Sequence, residues 1–225
     1  MEVEQMDNKE IFVNNRAKFA ALYKRIEKIH SQTKNTRGHG FDHDLLVAQY
    51  AAIIAENERV GEMAWVAGLM HSLDRHFLPD EAEMILEECI GLVSNQFTVC
   101  ELGEIRLAVH DHSKKNDPAD GPVTVALKDA DRLANIGPIN LIRGGQHRPD
   151  IPACILESLG SRHPDSTFNN IKCCYDATFY NLEWEPMLRL PKAKEIGKKY
   201  FDYIREFQIR FAEQFREAGL HPWPK

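Results

Sequence analysis

Residues Ala64-Trp65-Val66-Ala67-Gly68-Leu69-Met70 form a run that is apolar on most sides and carries no charge. Its length and alanines read as a helix, and a helix with no polar face has to be covered by other helices rather than lie on a surface. The run ends abruptly in His71-Ser72-Leu73-Asp74-Arg75. Whatever the chain folds into must therefore surround one central helix and leave a histidine at its end, where neighbours hold the imidazole still.

The rest of the chain supplies the covering helices. Between Asn8 and His30 the residues Ile11, Phe12, Phe19, Leu22, Ile26 and Ile29 recur at helical spacing, which predicts one amphipathic helix. The small polar residues and glycines of Ser31 to Gly40 predict a loop, and a second helix starts at Asp42 or His43. Further helices are expected from Pro79, from about Thr98 to His110, and over Val123 to Leu133. Paired glycines 144 and 145 with prolines 138 and 149 predict an irregular segment from Gly137 to Pro152. Short helices near Cys154 to Leu159 and Phe168 to Leu182 precede a long one from Lys192 to Ala218. In that last helix Ile196, Tyr200, Ile204, Phe207, Phe211 and Phe215 share a stripe, which is core packing rather than a cofactor site. No sustained strand alternation, internal repeat or low-complexity tract interrupts this pattern. The expected fold is all-α, a single helical bundle over 1–225 with a long C-terminal helix. Its parts are an N-terminal helix and loop (1–37), a motif-bearing core (38–137) and a C-terminal helical part (138–225).

Composition narrows the function. Hydrophobic residues make up 43% and charged residues 28%, ordinary values for a globular chain able to bury a core. A formal charge of −6 spread along the sequence argues against nucleic-acid binding by bulk charge. No apolar stretch approaches the ~20 residues of a membrane span, and Met1-Glu2-Val3-Glu4-Gln5 lacks the apolar region of a secretory signal, so the default expectation is a cytoplasmic protein with no membrane partner. Five cysteines without a Cys-x-x-Cys read as reduced, idle thiols.

Histidines are distributed unevenly. His39, His43, His71, His76, His110 and His112 all fall in the first half, near expected helix ends, ahead of Asp129-Ala130-Asp131-Arg132. A lone histidine at a helix end is usually a cap or a surface residue, the reading given to His30, His163 and His221. Six of them gathered with carboxylates suit a divalent transition metal, since imidazole and carboxylate together favour such ions.

Three segments together carry a more specific signal: Gly38-His39-Gly40-Phe41-Asp42-His43, Ala67-Gly68-Leu69-Met70-His71, and Lys128-Asp129-Ala130-Asp131-Arg132-Leu133-Ala134-Asn135-Ile136-Gly137. They resemble the HD-domain metal-dependent phosphohydrolases, most of all the small stand-alone bacterial and archaeal members, from about Gly38 through the final helix. The resemblance implies an HD-like helical fold and a metal held by His43, His71 and Asp131. It also implies a fourth ligand, an aspartate directly after the second histidine, where this chain has Ser72. His110-Asp111 does not replace that pair, because it stands too close in sequence to Asp131.

Three outcomes stand open at this point. A two-histidine, one-carboxylate site holds metal with water completing the shell; or Asp74, three residues after His71 on a continuing helix, supplies the carboxylate; or no metal binds. The resemblance implies a divalent ion (Mn, Fe, Co, Ni, Zn or Mg) and a small phosphorylated substrate such as a nucleotide, hydrolysed by a metal-activated water. In that scheme His112 and Asp74 are the catalytic candidates, while Arg132, Arg143 and Lys114 are candidates for neutralising phosphate charge. Each cation has an ordinary alternative: Arg132 pairing with Asp129, Lys114 solvated in a turn, Arg143 in a glycine-rich loop. The competing functional expectation is a degenerate HD domain that binds a ligand or partner without turnover. Because ligand histidines must be neutral, metal occupancy is expected to fall below pH ~6.5.

Overall fold

The computed structural model describes residues 7–33 and 38–223. The acidic start Met1 to Gln5 and the middle of the expected loop, 34–37, lie outside the described residues. The described residues are all-helical and divide into two compact units, one reaching from the N-terminal side to 134 with Arg189–Ala193, the other spanning 135–188 and continuing from 194.

In the first unit α1 (Asn8–Lys18), α2 (Ala20–Gln32), α3 (Phe41–Ile54), α4 (Glu58–Met70), α5 (Pro79–Gly91), α6 (Val99–Asp111) and α7 (Pro122–Ala134) follow one another. The central helix is α4, packed against α2, α3, α6 and α7. Trp65, Ala64, Val66, Ala67, Leu69 and Met70 have no measurable exposure, as the apolar run requires. Asn57 caps its start by accepting from the Val60 N–H at 3.0 Å. Gly68 sets the closest approach: a Cβ there would meet Ala48 Cα of α3 at 2.5 Å, so only glycine lets the two backbones touch.

Three expectations of local structure fail. The single helix expected from Asn8 to His30 is two, because Phe19 leaves helical geometry (φ −108°, ψ 34°). Its ring is buried between Trp65 and Phe97, with centroids 5.7 and 5.5 Å away. The supposedly irregular Gly137–Pro152 segment contains a helix in the second unit, α8 (Pro138–His147). Pro138 occupies the first turn, where its missing N–H costs nothing. Gly144 and Gly145 face open space, so they weaken the helix without being needed for clearance.

The second unit also holds α9 (Cys174–Leu182) and most of α10 (Pro191–Glu217), the long C-terminal helix. Only a short 3₁₀ turn, Leu156–Ser158, forms where a helix from Cys154 to Leu159 was expected. The aromatic stripe of α10 is core: Phe207, Phe211 and Phe215 pack against Leu159, Cys173 and Tyr175. Among the described residues no helix is long and apolar enough to cross a membrane.

Candidate metal centre

Three helices deliver the central residues. His43 sits in the first turn of α3, His71 caps the C-terminus of α4, and Asp131 lies in the last turn of α7. The Gly68–Ala48 contact lies about one helical turn from both His71 and His43, so the close α3–α4 crossing brings the ends that carry the two histidines together. Their Nε2 atoms are 3.2 Å apart, and Asp131 Oδ1 lies 3.4 Å from His43 Nε2 and 3.9 Å from His71 Nε2. His43 and His71 are buried and Asp131 is partly exposed, which gives the group one open side.

The donor chemistry fits a cation. His71 Nδ1–H donates to the Gly68 carbonyl at 2.7 Å, which fixes the tautomer and turns an Nε2 lone pair toward the group. Burial pushes His71 down to about 4, with Asp44 opposing the shift, so the ring is neutral at neutral pH. Burial of Asp131 resists ionisation, but the hydrogen bond with His43 and the interaction with the neighbouring imidazoles outweigh it and hold the carboxyl well below the usual range. Lone pairs converging this closely need a proton or a cation among them. Three ligand atoms each about 2.1 Å from one ion would lie about 3.0 to 3.4 Å apart. The 3.2 and 3.4 Å separations fall in that range, and the 3.9 Å between Asp131 Oδ1 and His71 Nε2 lies just above it. His43, His71 and Asp131 can thus hold a divalent ion.

Around this group the imidazoles form a file. Ring centroids are 5.3 Å apart for His39 and His43, 5.0 Å for His43 and His71, and 5.2 Å for His71 and His112, each pair edge to face. His112, at the C-cap of α6, donates Nδ1–H to Val109 O at 2.6 Å, leaving Nε2 as its reactive nitrogen. The structure thus gathers His43, His71, Asp131 and His112 together.

The other expected site residues go elsewhere. Asp74 is a correction: α4 stops at Met70, so the same-face argument from His71 fails, and Asp74 lies half-exposed in the 3₁₀ turn Leu73–Arg75 with Arg75 3.6 Å away. Lys114 is exposed and bonded to Asp111 at 2.6 Å, as expected of a solvated turn. Arg132 is held by Asp129 (3.3 Å) and Asn116 (2.8 Å), so its guanidinium is already committed. Arg143 belongs to the second unit, buried in α8 and donating to Asn135 at 2.6 Å. His110 sits half-exposed beside Glu83, 3.4 Å away.

Sequence reasoning missed several buried polar groups. Ser72 does not face the metal group; its hydroxyl lies 2.7 Å from both oxygens of Asp44, which is 1% exposed. Asp44 also accepts from His30 Nε2 at 2.8 Å, so His30 is a buried partner and not the surface residue expected. Burial opposes ionisation of Asp44, yet His71 and the His30 hydrogen bond hold its carboxyl below the ordinary range. The available signal was the Asp that follows His43 directly in sequence. Lys128, also buried, donates to both oxygens of Asp120 (2.8 and 2.9 Å) and to Lys115 O (2.9 Å), which pins the turn after His112. Asp129, the first acid of the Asp-Ala-Asp segment, accepts from the Arg189 and Leu190 N–H groups at 2.7 and 2.8 Å and is structural.

No family model matches the chain, and neither does any curated protein. Solved structures do match in fold. A structural-genomics crystal structure from Lactobacillus plantarum aligns with TM-score 0.68 at 16% identity, covering 89% of this chain and 98% of the other. Bacillus subtilis YpgQ, crystallised in complex with ADP, aligns with TM-score 0.61 at 18% identity, covering 87% and 97%. The Lin1889 protein of Listeria innocua aligns with TM-score 0.61 at 16% identity, covering 94% and 98%. At these identities the likeness establishes a shared all-α fold over nearly the whole chain.

Proposed function

We propose that this protein is a metal-dependent phosphohydrolase of the HD superfamily, acting on a phosphate ester or anhydride of a small molecule such as a nucleotide. The observation that carries the reading is the convergence of His43 Nε2, His71 Nε2 and Asp131 Oδ1 within 3.2 to 3.9 Å, with His112 edge-on to His71. The sequence resemblance adds the reaction class, and the ADP bound to the fold relative YpgQ adds the ligand type.

A divalent cation would supply Lewis acidity and bring a water within reach of deprotonation near neutral pH. The two histidines offer neutral nitrogen donors from a buried floor, and Asp131 adds the anionic one from the open side. His112 is placed to move a proton: Nδ1 is tied to Val109 O, so Nε2 accepts from the attacking water or, once protonated, donates to a phosphoryl or leaving-group oxygen.

One observation favours the alternative, a binding module without turnover. Ser72 is turned to Asp44, so the described residues offer three protein ligands where the resemblance implies four. The test is elemental analysis of protein purified without chelator, followed by phosphate release from a panel of nucleoside phosphates with Mn²⁺, Co²⁺ or Mg²⁺. Bound metal and release are expected. Absence of both sinks the hydrolase.

A further inference from the structure

We infer that Asp44 is the second carboxylate of the metal centre, acting by its charge behind His71 instead of touching the ion. This rests on the proposed metal-binding reading and adds a role to a residue that reading does not use. A divalent ion among His43, His71 and Asp131 meets one negative charge, leaving a net positive centre on a buried floor. Uncompensated charge in such a place is expensive. Asp44 supplies the missing charge from behind: Oδ1 lies 3.7 Å from His71 Nδ1, on the ring edge opposite the group-facing Nε2.

The arrangement is built rather than incidental. Asp44 is 1% exposed, and two polar hydrogens hold it. Ser72 Oγ–H bridges both its oxygens and His30 Nε2–H holds Oδ2, while His71 Nδ1–H goes to Gly68 O. The Gly68 carbonyl orients the His71 ring, and the Asp44 carboxylate behind it acts by charge; outer partners of a ligating imidazole are worth about 10- to 100-fold in metal affinity. The serine after His71 thus has a defined task. It gives up ligation and fixes a carboxylate that arrives from α3, next to His43. The count of acids around the centre stays at two, Asp44 and Asp131, while one moves out of contact with the ion.

The test titrates Co²⁺ into metal-free protein by calorimetry and records the visible Co²⁺ spectrum for the unaltered chain, D44N and the exchange variant D44S/S72D. D44N, nearly isosteric but neutral, is expected to weaken Co²⁺ at least tenfold while the spectrum keeps the band pattern of an unchanged ligand set. Binding within threefold of the unaltered chain overturns the inference and leaves the hydrolase reading standing. A changed band pattern also overturns it, by making Asp44 a direct ligand. If D44N does not fold, D44S/S72D decides: affinity within tenfold with an unchanged band pattern is expected, and a larger loss, or recovery with the changed band pattern of a new ligand, overturns the assignment. No Co²⁺ binding by the unaltered chain removes the metal reading and this inference together.

Discussion

Replacing Ser72 by aspartate would restore the residue that the family resemblance places after His71, and sequence logic alone predicts a gain of metal affinity. The structure predicts a loss of stability instead. Ser72 Oγ lies 2.7 Å from both Asp44 oxygens, with each residue 1% exposed, so S72D sets two carboxylates against each other in the core. At about 3.5 Å and an effective dielectric near 20, two unit charges repel by about 5 kcal/mol. The protein escapes part of this by keeping one proton. Holding a proton at pH 7 on a group of ordinary pKa near 3.9 costs about 4 kcal/mol, which caps the penalty. Its sign with pH is fixed: the shared carboxyl has a folded pKa above its unfolded value, so the unfolded chain releases the proton first as pH rises. The penalty is therefore absent below about pH 4, grows by about 1.4 kcal/mol per unit above it and levels off near pH 7. Urea unfolding followed by circular dichroism, with EDTA present, should put S72D about 3 to 4 kcal/mol below the unaltered protein at pH 7.5. At pH 5 the gap should shrink to roughly half that or less. A gap under about 1 kcal/mol at pH 7.5, or one that does not narrow on acidification, refutes the contact on which the argument stands.

Other expectations follow from the same geometry. Burial takes His71 down to about 4 from an unfolded value near 6.5, so the unfolded chain protonates first and stability falls as pH drops through that window, by about 3 kcal/mol in all. H71Q should flatten the pH 6.5 to 4 slope in urea midpoints, and an unchanged slope would place the titration elsewhere. The same shift moves the acid limit that His71 sets on metal occupancy below the pH ~6.5 expected from an ordinary imidazole. G68A places a Cβ 2.5 Å from Ala48 Cα, so α3 and α4 must separate. A loss of about 1 to 3 kcal/mol in urea unfolding together with weaker Co²⁺ binding is expected, and a silent substitution would contradict the close crossing. D74N and K114A, both on exposed side chains, should leave Co²⁺ affinity within twofold, and a tenfold loss in either would return that residue to the site.

The helical class was legible because periodicity reports which faces are covered, and the α4 run shows this directly. Boundaries were less legible wherever a tertiary contact overruled local pattern. Phe19 fits the helical spacing of its neighbours, yet the space beside Trp65 and Phe97 draws its ring in at the cost of one helical turn. At Gly144 and Gly145 the pattern erred the other way. Glycine lowers helix propensity by about 1 kcal/mol, but Pro138 at the first turn and the surrounding α8 residues suffice to carry the helix through.

The site divides along the same line. His43, His71 and Asp131 were readable because their residue types and spacing match a known pattern, and the structure brings them together. Asp74 misled because a spacing of three has meaning only on a helix that continues, and α4 does not. Asp44, His30 and Ser72 were invisible as a unit because their connection runs through space, from α2 to α3 to the end of α4. A sequence search for a motif asks which residue occupies a position, whereas electrostatics asks only that a charge sit near enough to act. Ser72 looks like a deletion by the first criterion. By the second it is half of an exchange, since the Asp44 carboxylate it fixes lies 3.7 Å from the imidazole that a ligand at position 72 would have stood beside.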